Sequence, residues 1–442
     1  MAVFKGNKKP SFWEMIEHLP VNFFRSIFKH KYPNNDVDRA EIIFRNFFFH
    51  IHPVKCHKIV LDPFHTLGLG TITASLFFLL VFTGVVLMFF YVPAVDRAYT
   101  ILVDWLDTTP FAMMWRNMHR WSAQLMVLFV FLHMSRVFYM GAYKGERKFN
   151  WVIGILLMVV TLFLSFTGYL LPWDQLAFWA ITVGSEIAGY VPGIPGMQYN
   201  INKLMLLGST TVGQDALIRF YVLHVMVLPM LGGLLLSVHF WRIRKDGGLA
   251  RPPDRSSTEP FRVVQRSDTK ETFAPGVNRT YGLMELVRGT CPTVDRGPEN
   301  YVFSWPHLLR AELAVFLGTT VLVLLLSLFI DAPLEEIANP SKPTNPAKAP
   351  WYFLGLQEMV AYHAFWGGVA IPTLIVIGLA LIPYLDRNPY GEGVWFHRSR
   401  FLAVFLYTAF MTIQGVLVII GVFFRGPNWA WIWPWTENFA RH

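Results

Sequence analysis

The sequence predicts an all-α integral membrane protein, and three observations carry that prediction. Hydrophobic residues make up 54% of the 442 positions and charged residues only 15%, a balance outside the range of ordinary soluble domains. The apolar residues gather into seven blocks, at about 67–91, 116–139, 150–171, 219–242, 308–330, 365–385 and 400–424, each close to the ~20 residues that a helix needs to cross a bilayer. The block interiors are almost free of charge, and backbone in hydrocarbon must satisfy its own hydrogen bonds, so helices are the form these runs take.

Taken in order, residues 1–66 form a cytoplasmic-side N-terminal interfacial segment. Within it Phe12, Trp13, Phe23, Phe24 and Phe28 alternate with Arg25, Lys29 and Lys31, the pattern of a surface helix broken near Pro20. It lacks the short apolar stretch and cleavage site of a removable leader. The first four blocks occupy 67–243. A polar linker rich in Arg, Pro, Gly and Ser follows over 244–306, and three further blocks fill 307–425. The tail, 426–442, carries Trp429, Trp431, Trp433 and Trp435, suited to headgroup depth.

The net charge of +9 resides in particular loops and not in a patch interleaved with exposed aromatics, so it points to membrane topology and away from nucleic acid. Lys144, Arg147 and Lys148 follow the second block, and Arg387, Arg398 and Arg400 the sixth. These loops are assigned to the cytoplasmic side of an energy-transducing membrane, most simply a bacterial inner membrane. The N-terminus is then cytoplasmic and the C-terminus lies on the positive side. Cys56 and Cys291 are too few for a disulfide framework or a zinc site, and the motif for covalent c-type haem is absent.

The second block contains His119 and His133, fourteen apart, and the fourth His224 and His239, fifteen apart. Fourteen residues at about 1.5 Å rise place two side chains roughly 21 Å apart on one helix face, and fifteen does so within about 60°. Both blocks are entered from the positive side, so His119 is level with His224 and His133 with His239. Imidazole in hydrocarbon is costly unless partnered, and neutral imidazole is a good axial ligand, so two facing rungs predict two bis-histidine haems in a four-helix bundle. Gly70 and Gly84, and Gly154 and Gly168, repeat the fourteen-residue interval and predict clearance beside each macrocycle, although glycine pairs also serve plain helix packing. Arg116 and Arg136 lie three residues outward of their histidines, placed for haem propionates or for snorkelling to the surface.

These residues resemble the cytochrome b family of bc1 and b6f complexes. His119-Arg120-Trp121 is similar to the family's first ligand motif, and Gly168-Tyr169-Leu170-Leu171-Pro172-Trp173-Asp174-Gln175 to the end of its third helix. The fifteen-residue interval followed by Ile243-Arg244-Lys245 resembles cytochrome b6, and the three-block half resembles subunit IV, as if the two were fused. The resemblance implies a quinol oxidoreductase subunit coupled to proton translocation. Quinol would be oxidised on the positive side, and two b haems would lead electrons to quinone near the cytoplasmic face. Lipids, a Rieske iron-sulfur protein, a c-type cytochrome or plastocyanin-like acceptor and a homodimeric assembly would be its partners.

Three departures qualify it. Pro350, Trp351 and Tyr352 match the quinol-site motif, but Ala349 precedes them and the motif's acidic residue is missing. Glu358 is the expected replacement as proton acceptor, with Tyr352 positioning the quinol, although a carboxylate near a helix start also caps it. Gly68 stands where cytochrome b6 tethers an additional haem through cysteine, so no covalent extra haem is expected. Arg244, Lys245 and Asp246 are then the candidate contacts for the cytoplasmic quinone, unless they serve only topology. Ala180 replaces a pocket glycine of mitochondrial relatives, as in b6-type proteins. Two other classes account for part of the pattern: a dihaem anchor subunit of a hydrogenase or formate dehydrogenase, and a transporter using the histidines as a proton path.

Overall fold

The computed structural model describes residues 32–191, 200–252 and 300–435, with a few residues between 16 and 26. Most of the expected surface helix over 11–31, most of the linker, Cys291 and the end of the tail lie outside the described residues. In chain order the main elements are α1 (Asp36–Arg45), β1 (Lys55–His57), α2 (Leu69–Met88), α3 (Ala98–Thr108), α4 (Ala112–Tyr139), α5 (Lys148–Tyr169), α6 (Gln175–Gly189), α7 (Ile201–Leu207) and α8 (Gln214–Lys245). The second half adds β2 (Tyr301–Phe303), α9 (Ser304–Phe329), α10 (Trp351–Tyr362), α11 (Trp366–Leu385) and α12 (Arg398–Phe423).

Among the described residues seven helices are long and apolar enough to cross a membrane: α2, α4, α5, α8, α9, α11 and α12. Each coincides with a predicted block. Their outer faces expose residues such as Phe78, Leu234, Leu374 and Phe405, a surface that water would not tolerate at this extent and lipid does. Helix ends are set locally. Asp174 caps α6 by accepting from Ala177 N at 2.9 Å, and Asn200 caps α7. Gly68 opens α2 in the left-handed region, with φ of 60°; glycine adopts it without the strain a cysteine side chain would add.

Prolines shape the long helices. Pro229 and Pro372 each follow a π-helical turn, Leu223–Val227 in α8 and Trp366–Ala370 in α11. Proline offers no N–H to the preceding turn, and the wider turn absorbs one extra residue. In α8 this turn contains His224, so the fifteen-residue interval to His239 behaves as fourteen, matching the interval between His119 and His133 on α4.

The two halves are bonded over their whole depth. β1 pairs antiparallel with β2, and Trp351 of α10 donates to Gln124 of α4 at 2.8 Å. Asn117 of α4 donates to Ser327 O at 3.0 Å and accepts from Ala332 N at 2.8 Å. At the end bearing the cationic loops, Tyr143 donates to Asp386 at 2.6 Å, Lys144 lies 3.3 Å from the same carboxylate, and the buried Arg400 donates to Tyr143 at 2.8 Å. Acidic and basic members face one another, with Arg400 Nε 3.6 Å from Asp386 Oδ2, and this pairing offsets the cost of burying them.

Candidate functional site

The four helices α2, α4, α5 and α8 enclose a cavity of about 1380 Å³ that reaches from Tyr352 and Glu335 at one end to His52 and Glu312 at the other. His119 faces His224 with ring centroids 6.2 Å apart and planes at 80°, and His133 faces His239 at 6.4 Å and 79°. All four rings line the cavity. Two imidazole nitrogens each bound at about 2 Å to one metal put their ring centroids about 6 Å apart, so both rungs have the separation that an iron between them requires.

The second ring nitrogens support the same reading. Nδ1 of His224 lies 3.1 Å from Leu164 O and 3.2 Å from Thr167 Oγ1. Nδ1 of His119 lies 2.9 Å from Thr83 Oγ1, whose hydroxyl already donates to Leu79 O at 2.7 Å. Each of these rings therefore donates through Nδ1 and keeps the Nε2 lone pair for a ligand bond, an orientation typical of metal-bound histidine. Thr83 and Thr167 were missed in the sequence, yet both immediately precede a ladder glycine, Gly84 and Gly168. Nδ1 of His133 and of His239 has no hydrogen-bond partner of ordinary geometry among the described residues.

Every predicted glycine abuts a ligand candidate. A Cβ on Gly70 would meet His133 at 3.2 Å, on Gly84 His119 at 3.3 Å, on Gly154 His239 at 3.8 Å, and on Gly168 His224 at 2.4 Å. The two arginines differ. Arg136 is 5% exposed, and its Nε and Nη2 find no partner among the described residues; a buried guanidinium lining a cavity suits an anionic substituent such as a propionate. Arg116 spends two donors on Ala332 O and Pro333 O, both at 2.6 Å, so it also ties α4 to the second half.

At the His119 end, Tyr352 lines the cavity. Burial pushes its phenol above the usual range, partly offset by Arg120 and a hydrogen bond with Ser165. Pro350 is the N-cap of α10 and Trp351 its first residue, anchored through Gln124. Glu358, expected as proton acceptor, is not among the cavity-lining residues. It is 1% exposed, paired with Arg425 through Nη2 and through Nε at 3.0 Å, and receives Trp429 Nε1 at 2.9 Å. Burial would raise its pKa, but the bonds from Arg425 and Trp429 outweigh it and hold the carboxyl below the usual range. A carboxylate held in that way is an anchor for the C-terminal segment and a poor proton acceptor, which revises the expectation. Glu335, which the sequence reading passed over, does line the cavity, with its N–H donating to Asp174 Oδ2 at 3.2 Å.

At the other end, Arg244, Lys245 and Asp246 do not line the cavity. Arg244 donates to His50 O, Lys245 lies 4.7 Å from the Trp241 ring centroid, and Asp246 pairs with Arg242 at 2.9 Å. Arg244 and Lys245 are engaged at the end of α8, whereas Asp246 Oδ2 has no hydrogen-bond partner among the described residues.

The sequence profile of the family described as Cytochrome b/b6/petB matches residues 59–247. Cytochrome b6 of Heliomicrobium gestii is 44% identical over 190 residues, covering 42% of this chain and 87% of that protein. Cytochrome b6 of Heliobacterium modesticaldum is 44% identical over 197 residues, covering 44% and 88%. The chain belongs to the cytochrome b/b6 family, whose members carry b-type haem. A solved structure described as hyperthermophilic respiratory Complex III superposes with a TM-score of 0.65 at 24% identity, covering 91% of each chain. That likeness is one of fold, and it extends across the second half, beyond the span of the family profile.

Proposed function

We propose that this chain is the dihaem cytochrome b subunit of a membrane quinol oxidoreductase of the bc type, with subunit IV fused behind a b6-like bundle. The observation that carries the proposal is the pair of facing histidine rungs that line one continuous cavity. His119 and His224 would hold one b haem and His133 and His239 the other, with Arg136 and the remaining donors of Arg116 toward propionates. Haem supplies one-electron carriage between the two ends. The domain division at 67–243, 244–306 and 307–425, the cytoplasmic N-terminus and the positive-side C-terminus belong to the same reading.

At the His119 end a quinol must release two electrons and two protons to become quinone. Tyr352, in the first turn of α10 and lining the cavity, positions the quinol ring; Trp351 and Pro350 set the start of that helix. Glu335 stands at the mouth with its carboxylate available to take a quinol proton to water. A Rieske iron-sulfur protein would take one electron on its way to a c-type cytochrome, leaving the second for the b haems that His119, His224, His133 and His239 would hold. A homodimeric complex in an energy-transducing membrane completes this reading, with Gly68 leaving no thiol for a covalent third haem.

The deciding experiment is the haem-to-chain ratio of the purified complex by pyridine haemochrome, comparing acid-acetone-extractable with retained haem. Two extractable haems per chain are expected. A retained haem refutes the reading of Gly68, and a chain without haem refutes the proposal.

A further inference from the structure

We propose that Arg425, acting through Glu358, is a positioning residue for quinol: the pair fixes the seat of α10 on α12 and with it the place of the Tyr352 ring in the cavity. The inference rests on the functional reading above. Trp351, Leu354, Gly355 and Glu358 follow the i, i+3, i+4, i+7 spacing of one helix stripe, and Leu354, Gly355 and Glu358 are the buried residues of α10. Tyr352 stands about 100° round the helix from that stripe. It lines the cavity, whereas Glu358, Arg425 and Trp429 do not. One face of this short helix is therefore seated on protein while another meets the cavity.

The seat is built from small residues and closed by charge. A Cβ on Gly421 of α12 would lie 3.1 Å from Leu354 Cβ, and one on Gly355 would meet Leu417 Cβ at 3.6 Å, so the glycines let the two helices approach closely. Apolar contact is non-directional and fixes the separation of the helices better than their roll, which a directional bond must set. Arg425, two residues beyond α12, supplies it: Nε donates to Glu358 Oε2 at 3.0 Å and Nη2 to Oε1, and Trp429 Nε1 donates to Oε2 at 2.9 Å. The guanidinium is held in turn, Nη1 on Trp429 O and Nη2 on Tyr362 Oη, both at 3.1 Å. The segment leading into α10 reaches the same end of α12, where Lys348 Nζ donates to Val422 O at 2.8 Å. At the start of the stripe Trp351 is anchored on Gln124 of α4, so Glu358 is the second point of attachment.

Two points fix the roll of a helix; one leaves it free to turn about that point. A roll of about 10° moves a ring about 6 Å from the helix axis by about 1 Å, and Tyr352 then leaves the Ser165 hydroxyl of α5 with which it shares a hydrogen bond. A quinol contact displaced that far loses about the worth of one hydrogen bond, roughly tenfold in affinity. Because Tyr352 holds the ring alike before and during electron loss, the effect falls on KM and not on kcat.

The test uses the complete complex in native membranes, with Arg425→Gln, Glu358→Gln, the two combined, Arg425→Lys and Gly421→Ala. Two quantities are read: KM and kcat for decylubiquinol or a short-chain menaquinol analogue, and the quinol-induced infrared difference spectrum with ring-labelled tyrosine, in which Tyr352→Phe identifies the Tyr352 band. Arg425→Gln and Glu358→Gln are each expected to raise KM about tenfold with kcat within about twofold. The combined variant should be no worse than either, since the two act as one unit, and Arg425→Lys should recover part of the affinity. The Tyr352 band should shift in both glutamine variants. It should shift also in Gly421→Ala, which moves α10 by a few tenths of an ångström without touching the ion pair. An unchanged KM with an unshifted band in the glutamine variants overturns the proposal, as does a fall in kcat at unchanged KM, the mark of a proton-accepting Glu358. Where those variants fail to assemble, an unshifted band in Gly421→Ala overturns it. If quinol reduces no haem in the unsubstituted complex, or Tyr352→Phe removes no band, it is the functional reading that fails.

Discussion

Gly168→Ala is the sharpest perturbation of the ladder. The added Cβ would lie 2.4 Å from His224 Cε1, 2.9 Å from Nε2 and 3.0 Å from Nδ1, whereas carbon atoms settle at about 3.5–4 Å. The ring must therefore retreat by about 1 Å, and its Nδ1 is held by Leu164 O at 3.1 Å. Overpacking of this kind costs about 1–3 kcal/mol, and loss of the hydrogen bond about 1 kcal/mol more. Gly154→Ala meets His239 at 3.8 Å, an ordinary contact, while Gly70→Ala and Gly84→Ala, at 3.2 and 3.3 Å, need shifts of only a few tenths of an ångström. The expected order of damage is Gly168→Ala far ahead, then Gly70→Ala and Gly84→Ala, with Gly154→Ala near neutral. Haem-to-chain ratio and redox-resolved difference spectra of the purified variants read it, and Gly168→Ala should empty or perturb one of two haems. Equal haem loss in Gly154→Ala and Gly168→Ala would refute the steric argument.

Pro229→Ala restores an N–H to α8 and removes a cause of its π turn, so His224 should rotate out of register and the haem of that rung weaken; an unchanged spectrum of both haems counts against the turn's role. Glu335→Gln is expected to slow steady-state quinol oxidation by about tenfold or more, whereas Glu358→Gln should alter turnover per folded complex far less, and the reverse order would return the proton-accepting role to Glu358. Because the Glu358 carboxyl titrates below its usual range, its ion pair stabilises at neutral pH and that contribution is lost as pH falls through the depressed pKa. The melting temperature of Glu358→Gln should therefore lie below that of the unsubstituted protein at pH 7, with the gap narrowing under acid; a gap independent of pH refutes the pairing. Tyr143→Phe strips Asp386 of one donor and Arg400 of an acceptor, and about 1–3 kcal/mol of stability should go with them in denaturant titration.

The seven helices and the two rungs were legible because both rest on periodicity within one segment. Hydrophobic runs set the helices, and the fourteen-residue interval set the faces. What local spacing cannot carry is a partner distant in sequence. His52 has no local signal in the sequence, since Glu312, the carboxylate it meets, lies 260 residues away. Glu358 was chosen for nearness to Tyr352 in sequence, but its oxygens are taken by Arg425, 67 residues on. The odd interval in α8 did have a local signal: Pro229, five residues after His224, marks where a helix must give up a backbone hydrogen bond, and the wider turn follows from it.

The division of labour between the halves follows from what each can place. α4 and α8 are long enough to carry two histidines each at opposite depths, and the ring nitrogens of His119 and His224 are set by groups on α2 and α5, all within residues 69–245. First-half ionisable groups also line the cavity ends, among them Asp174 at the His119 end and His52 at the His133 end. The second half adds Glu335 and Tyr352 at the His119 end and Glu312 at the His133 end. Each new group meets a partner from the first half, Asp174 for the Glu335 backbone and His52 for Glu312. On the proposed function, electron carriage would be the work of one half, and proton exchange would arise where the two meet. This is the physical reason for the dense bonding between them, since a relative shift of 1 Å would leave the ladder intact and uncouple both of its ends.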